Sequence, residues 1–272
     1  MSARPVPPAP LIIRPRPRGA LSFLNDTLLL TRRNLVLTMR TPELVIFAAV
    51  MPIMFVLLFR YVFGGSIHVP GYANYIDYLM PGIVVQTALF GGSSSAVGVA
   101  DDFSKGVTDR LRSLPTNRAA ILAARTLADL VRMTYTIGLL IAIGLLVGFR
   151  FHNSPLPVLA GVGIALLFGY ACSWLFTLIG LLVRNVESAT LVGILITFPL
   201  VFAASTFTST QYMPGPLRAF ANAQPVTHVA DALRQLTHGH GFAGHAALGA
   251  VAWSVGILVV SAALASWKFR RI

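Results

Sequence analysis

From residue 44 onward the chain alternates between long apolar runs and short polar or charged joints. Six runs, at residues 44–63, 78–100, 131–149, 156–183, 188–208 and 246–267, are continuous stretches rich in Leu, Ile, Val, Ala and Gly. Each is close to or above the ~20 residues that a helix needs to cross the hydrocarbon core of a bilayer. Strands of a membrane barrel would instead read as short segments alternating apolar and polar positions. The pattern predicts an all-α polytopic membrane protein with six transmembrane helices.

Two further helical patterns flank these spans. Over residues 21–41, helical spacing places Leu21, Leu24, Leu28, Leu35 and Met39 on one stripe, with Asp26, Arg33 and Arg40 opposite. That pattern predicts a helix lying in the membrane interface. Between the fifth and sixth spans, residues 211–245 hold two short patterns with too little apolar length to cross. The first starts at Pro216 with Leu217 and Phe220. In the second, Pro225 suits the first helical position, Val226, Val229, Ala230, Leu233 and Leu236 form a stripe, and Gly239 supplies the stop. The expectation is a re-entrant or interfacial helical hairpin on the outer side of the membrane.

Pro52, Pro81 and Pro199 fall inside predicted spans, where a missing amide permits a kink. Gly144 and Gly148 make a GxxxG in the third span, a spacing that allows close helix approach. No internal repeat supports an inverted-repeat carrier.

Composition agrees with the pattern: 56% of residues are hydrophobic and 11% charged, and mean hydropathy is +0.74. The net charge of +12 does not point to nucleic acid, because the basic residues sit at the ends of apolar runs and not on one face with stacking aromatics. They report topology. With the N-terminus inside, only Arg60, Arg150, Arg218 and Arg234 of the 21 Lys and Arg fall outside. The positive-inside rule then places both termini and the 101–130 segment in the cytoplasm. Residues 1–20, rich in Pro and Arg without an apolar core, are expected to be a disordered cytoplasmic tail, and residues 21–272 one transmembrane domain. Cys172, the single cysteine, lies in an apolar run and can form no intramolecular disulfide.

Catalytic chemistry is hard to find. The two lysines, Lys105 and Lys268, end no GxxxxGK[ST] loop. Asp77, Asp129 and Glu187 lie near span ends, and Asp231 lies in the hairpin, which argues against an intramembrane proton relay. His238, His240 and His245 read as polar loop residues beside glycines, with no Asp, Glu or Cys to complete a metal site. Ser93, Ser94 and Ser95 have no His or acidic partner identifiable by spacing. Arg125, Asp129 and Arg132 stand at i, i+4 and i+7, so one helix face can pair their charges.

The densest charge lies in DDFSKGVTDRLRSLPTNR, Asp101 to Arg118, between two apolar runs. With the following AAILAARTLADLVR, which ends at Arg132, it resembles the cytoplasmic coupling segment of the membrane subunits of ABC type-two exporters, within them the daunorubicin-resistance-type permeases. MPGPLRAFANAQPVTHVADALRQLTHG, Met213 to Gly239, is similar to that family's outer hairpin. The resemblance implies half of a twelve-span pathway in a bacterial cytoplasmic membrane, completed by a second permease copy or a homologue. It also implies two copies of a separate ATP-binding subunit, which would hold ATP and Mg, leaving this chain with no catalytic residue, no metal and no cofactor of its own. Asp101, Asp102, Lys105, Gly106, Asp109, Arg110 and Arg112 are then the expected coupling surface. Pro225, Val226 and Leu233 mark the expected outer hairpin.

For the cargo, Gln86, Phe90, Phe198, Phe202 and Thr206 offer aromatic and weakly polar surface within the second and fifth spans. Such a lining suits an amphipathic drug, antibiotic or lipid-like molecule better than a small ion. The alternatives are export of lipid-linked polysaccharide by the same fold, and an ATP-independent carrier or scaffold.

Overall fold

The computed structural model describes residues 20–40, 42–67, 69–72, 74–107, 118–183, 185–239 and 244–271, and its regular structure is entirely helical. In chain order the helices are α1 (Ala20–Met39), α2 (Pro42–Leu58, running into a π-helical turn at Phe59–Phe63), α3 (Tyr75–Ser104), α4 (Arg118–Leu146) and α5 (Pro155–Val183). They continue as α6 (Val186–Phe202), α7 (Gly215–Ala223), α8 (Pro225–His238) and α9 (Gly244–Arg271). Four of these, α3, α4, α5 and α9, are long and apolar enough to cross a membrane, and shorter apolar helices cover Ala49–Phe63 and Val186–Phe202. The Pro and Arg tail, residues 1–19, lies outside the described residues.

The bundle is built around α3. Every residue from Tyr75 to Leu89 is buried, as expected of a helix that is apolar all round. Its main neighbour is α5, and small residues set how close the two come. A Cβ on Gly92 would meet Cys172 at 2.6 Å, and one on Gly180 would meet the Ala96 carbonyl at 2.6 Å. Backbone-level approach of this kind is the usual means of packing helices in lipid, where burial in water supplies no driving force between them. Helix α9 packs on α5, and α4 lies between α1 and α3. At the end of α9, the Arg271 guanidinium stacks 4.0 Å from the Trp267 ring, a pair suited to a membrane interface.

In α1 the Leu24 and Leu28 side chains are exposed, whereas Asp26, Thr27 and Thr31 are buried. Thr31 Oγ1 donates to Ala124 O at 3.2 Å, which seats this polar edge on α4. Leu24 and Leu28 of the predicted apolar stripe are therefore turned outward.

Several boundaries differ from the sequence-based expectation, each for a local reason. Tyr75, not Tyr78, opens α3, with Asn74 in extended conformation as its N-cap. Helix α4 begins at Arg118, about 13 residues before the predicted third span, so Arg125, Asp129 and Arg132 are part of the same rod as that span. Only Gly144 of the GxxxG is helical. A Cβ there would meet Met80 Cε at 2.4 Å, and Gly148 lies beyond the helix at φ +108°.

The predicted fifth span stops early. Helix α6 ends at Phe202, and the chain turns through Ala203 to Ser209. Side chains from other elements take the carbonyls that a helix would have used: Tyr78 Oη donates to Ser205 O and Tyr75 Oη to Phe207 O, both at 2.8 Å, and Gln224 Nε2 to Ala203 O. Thr206 thus sits in a buried turn and not in a span.

Candidate functional site

Two polar constellations occupy opposite ends of α3. At its C-terminal end Asp101, Asp102 and Lys105 carry charge and Gly106, at φ +64°, ends the helix. Lys105 Nζ reaches Asp101 Oδ2 at 2.7 Å, with side-chain exposures of 65% and 40%. Such an exposed pair contributes ~1 kcal/mol or less. Asp102 instead pairs across the interface with Arg125 of α4. The approach is possible because Gly98 has no side chain where the Arg125 guanidinium passes. Arg33 of α1 adds positive charge near the same carboxylate.

One turn deeper, Asp129 Oδ1 pairs with Arg132 at 3.0 Å. Its Oδ2 accepts from the buried Ser95 hydroxyl at 2.6 Å, and Arg132 Nη2 donates to Ser94 Oγ. The Arg125, Asp129 and Arg132 face predicted from spacing is thus only partly internal to its helix. Asp129 and Arg132 do pair, but Arg125 turns to Asp102, and the serines find the acidic partner that spacing did not reveal. These contacts tie α3 to α4 at two levels. Asp109, Arg110 and Arg112 lie outside the described residues.

At the other end, α8 is anchored by Arg234, a buried residue at 3% exposure that sequence reasoning had placed among the outer charges. Its Nε donates to Tyr78 O at 2.9 Å. Nη1 donates to Ser205 Oγ at 2.9 Å and Asp231 Oδ1 at 2.7 Å. Nη2 donates to Ser205 O at 2.6 Å and Thr206 O at 3.1 Å. The guanidinium carbon lies 3.7 Å from the Tyr78 ring centroid. All five guanidinium N–H groups are therefore engaged.

The remaining hairpin contacts follow from simple backbone rules. Pro225 stands at the first turn of α8, and Gly239 closes it at φ 73° in left-handed conformation. Val226, Val229, Ala230, Leu233 and Leu236 are buried. A Cβ on Gly161 would meet Leu233 Cδ1 at 2.7 Å, which fixes α8 against α5. The last carbonyls of α8 are capped from the α4–α5 loop: His152 N–H donates to Thr237 O at 2.9 Å and Asn153 Nδ2 to Leu236 O at 3.1 Å.

Pro81 has no amide to offer Asp77 O, the carbonyl four residues earlier, and His238 Nε2 supplies the missing donor at 2.8 Å. Its other nitrogen, Nδ1, lies 3.1 Å from His152 Nδ1. Among the described residues no group of three His, Cys, Asp or Glu side chains gathers for a metal. His240 lies outside them.

Beside Arg234 a cavity of about 230 Å3 is lined by Tyr72, Tyr78, Ser205, Ser209, Thr210, Asp231, Arg234 and Gln235. Burial pushes the Tyr72 phenol above its ordinary value, so it is a neutral group at physiological pH.

The residues singled out for cargo divide. Phe90 of α3 and Phe198 of α6 meet edge to face at 6.0 Å, and Phe198 stacks on Phe202 at 5.6 Å. The row continues through Phe207 at 5.4 Å to Phe59 at 4.8 Å. Phe198 and Phe202 are about half exposed. Gln86 is buried one turn before Phe90, and its Oε1 has no hydrogen-bond partner among the described residues. Thr206 belongs with Arg234 instead.

The ABC-2 type transporter family matches residues 25–237, which take in both constellations. A daunorubicin resistance ABC transporter permease of Streptomyces coeruleorubidus is 32% identical over 225 residues, 82% of this chain and 76% of that protein. A probable doxorubicin resistance ABC transporter permease of Mycobacterium tuberculosis is 29% identical over 258 residues, covering 93% of this chain and 91% of that protein. A putative transport permease of Cyanophora paradoxa is 23% identical over 217 residues, 79% of this chain and 74% of that protein.

Proposed function

This chain belongs to the ABC-2 type transporter family, and we propose that it is the permease subunit of an ATP-driven exporter of amphipathic, drug-like molecules. The observation that carries this reading is its likeness, over most of its length, to permeases named for daunorubicin and doxorubicin resistance. In the full reading α2, α3, α4, α5, α6 and α9 are the six spans and α7 and α8 the outer hairpin. Both termini and the charged end of α3 face the cytoplasm, since that orientation leaves only four of the 21 Lys and Arg outside.

Two copies of an ATP-binding subunit, holding ATP and Mg, dock on the segment from Asp101 through Arg112, and a second permease completes the pathway. This chain contributes no catalytic group to ATP hydrolysis. Closure of the ATP-binding subunits pushes on that segment. The Asp102–Arg125 and Asp129–Ser95 contacts make α3 and α4 take up the push together. A push of this kind shifts the protein between two packings only through unequal binding to them. The half-exposed aromatic row from Phe90 to Phe202, with the unpartnered Gln86 Oε1, supplies the cargo surface.

The test is reconstitution. Co-expressed with its ATP-binding partner and placed in inverted vesicles, the permease should accumulate doxorubicin only when ATP is present and hydrolysable. Transport that is indifferent to ATP, or a permease that never co-purifies with an ATPase, overturns the proposal.

A further inference from the structure

The cavity beside Arg234 has an uneven supply of hydrogen-bonding groups. Arg234 has no N–H left to give, so its charge is present but cannot grip an anion through a hydrogen bond. Asp231 is in the opposite condition. Its Oδ1 accepts from Arg234 and from Ser205 Oγ, at 2.7 and 2.9 Å, whereas no described residue bonds its Oδ2. The side chain is 42% exposed and lines the cavity. Ser209 Oγ, Thr210 Oγ1 and the Gln235 amide, all lining groups, likewise make no hydrogen bond with a described side chain or backbone group. Four unspent polar groups therefore converge on one space, and the ionic one among them is an acceptor.

We propose that this cavity binds a hydroxylated organic ammonium, the polar head of an amphipathic cation. Asp231 Oδ2 takes the ammonium, and Ser209, Thr210 and Gln235 bond its hydroxyls. A divalent metal ion is a poor match, because it would need several oxygen ligands where the cavity offers one carboxylate. Size sets a further limit. At roughly 30 Å3 per water, 230 Å3 holds about seven waters, or one sugar-sized ring. That is room for the head of such a molecule, and its apolar body stays outside the cavity.

The assignment rests on the exporter reading for its meaning. In that orientation the cavity lies on the outer side and holds the head of the cargo as it leaves. Release is served by the incomplete enclosure of Asp231, since a partly solvated carboxylate holds a cation less tightly than a buried one.

The experiment uses the permease with its ATP-binding partner in lipid nanodiscs. Doxorubicin, an aromatic compound with an amino sugar, and its N-acetylated, uncharged counterpart are titrated by fluorescence anisotropy. Asp231→Asn keeps the acceptor that Arg234 and Ser205 use but removes the charge. It should weaken doxorubicin binding about tenfold, the low end for a charge-assisted hydrogen bond because the carboxylate is partly solvated, and leave the N-acetylated compound unaffected. Ser209→Phe fills the cavity without touching an Arg234 contact and should abolish the preference for the amine, which keeps the test decisive if Asp231→Asn unfolds. Wild-type discs that bind the two compounds equally, or an amine preference that survives both substitutions, overturn the assignment. ATP-dependent export by the wild type is followed in parallel: export without an effect of either substitution sinks only the cavity, whereas loss of ATP dependence in the wild type sinks the exporter reading.

Discussion

Replacing Arg234 with Gln tests whether the buried guanidinium holds the hairpin to α3. The substitution removes all five donors from a site of 3% exposure. The loss is smaller than five bonds would suggest. Ser205 O keeps the Tyr78 hydroxyl as a donor at 2.8 Å. Asp231, 42% exposed, falls back on water, so its lost ion pair adds little. What remains is the orphaned Thr206 carbonyl, the lost bonds to Tyr78 O and Ser205 Oγ, and the contact with the Tyr78 ring.

Together these amount to about 3 kcal/mol, the lower end for breaking a buried charged network. At 1.4 kcal/mol per factor of ten, the local opening equilibrium rises about 100-fold. The Ser205 amide reports that opening directly, because it donates to Thr227 Oγ1 of α8 at 3.2 Å. Hydrogen exchange at Ser205 should accelerate by about 100-fold in Arg234→Gln, and by about tenfold in Arg234→Lys, which keeps the charge but gathers its donors on one nitrogen. A change of less than about threefold in both variants would refute the account of the anchor.

Three further outcomes are expected. Asp109→Arg or Arg110→Glu should leave membrane insertion near normal and weaken binding of the ATP-binding subunit on the order of a hundredfold, as like charges meet across an interface; unchanged co-purification and export in both removes these residues from the coupling surface. Leu233→Asp puts a carboxylate against Gly161 and α5, at a cost of several kcal/mol, so export should fail while ATPase binding persists; export at the unmodified rate would make the hairpin a tolerant loop. Cysteines at Thr116 and Ser188 should label only from the cytoplasm and one at Ser66 only from outside, and the reverse pattern for Ser66 inverts the orientation.

The helices that were easiest to read are those whose signal is local. The hairpin helix declared itself through Pro225, a stripe of apolar residues and Gly239, and α8 runs from Pro225 to His238. The charged ladder between α3 and α4 was not readable, because Asp102 and Arg125 are 23 residues apart and Ser95 and Asp129 are 34 apart. No periodicity links positions on different helices. The turn after α6 had a signal that hydropathy overrode: the Ser and Thr cluster in residues 205–210 is turn chemistry set in an apolar run. The His238 contact also had one. A proline at 81 leaves the carbonyl of residue 77 without its helical donor, so a donor from elsewhere was to be sought. Arg234 had none, since nothing in an amphipathic pattern separates a charge facing water from one facing buried carbonyls.

Helix α3 meets both constellations, and the two attachments differ in stiffness. At the charged end the links are made by long side chains, Arg125 and Arg132, which can swing while keeping a partner. At the hairpin end the groups that α3 presents are backbone carbonyls of Asp77 and Tyr78 and the aromatic arms of Tyr75 and Tyr78, which have little freedom to follow a shift. A displacement of α3 therefore keeps its links to α4 while these swing, and at the hairpin end it is passed on directly, so that α8 and the turn at residues 203–209 travel with it. Close-packed interiors shift between discrete arrangements and do not deform continuously. Helix α5 belongs to the same unit, since α3 meets it at Gly92 and Gly180 and α8 is seated on it at Gly161. In the exporter reading, a push on the cytoplasmic end thus opens the outer end by carrying the hairpin with α3, without breaking the Arg234 anchor.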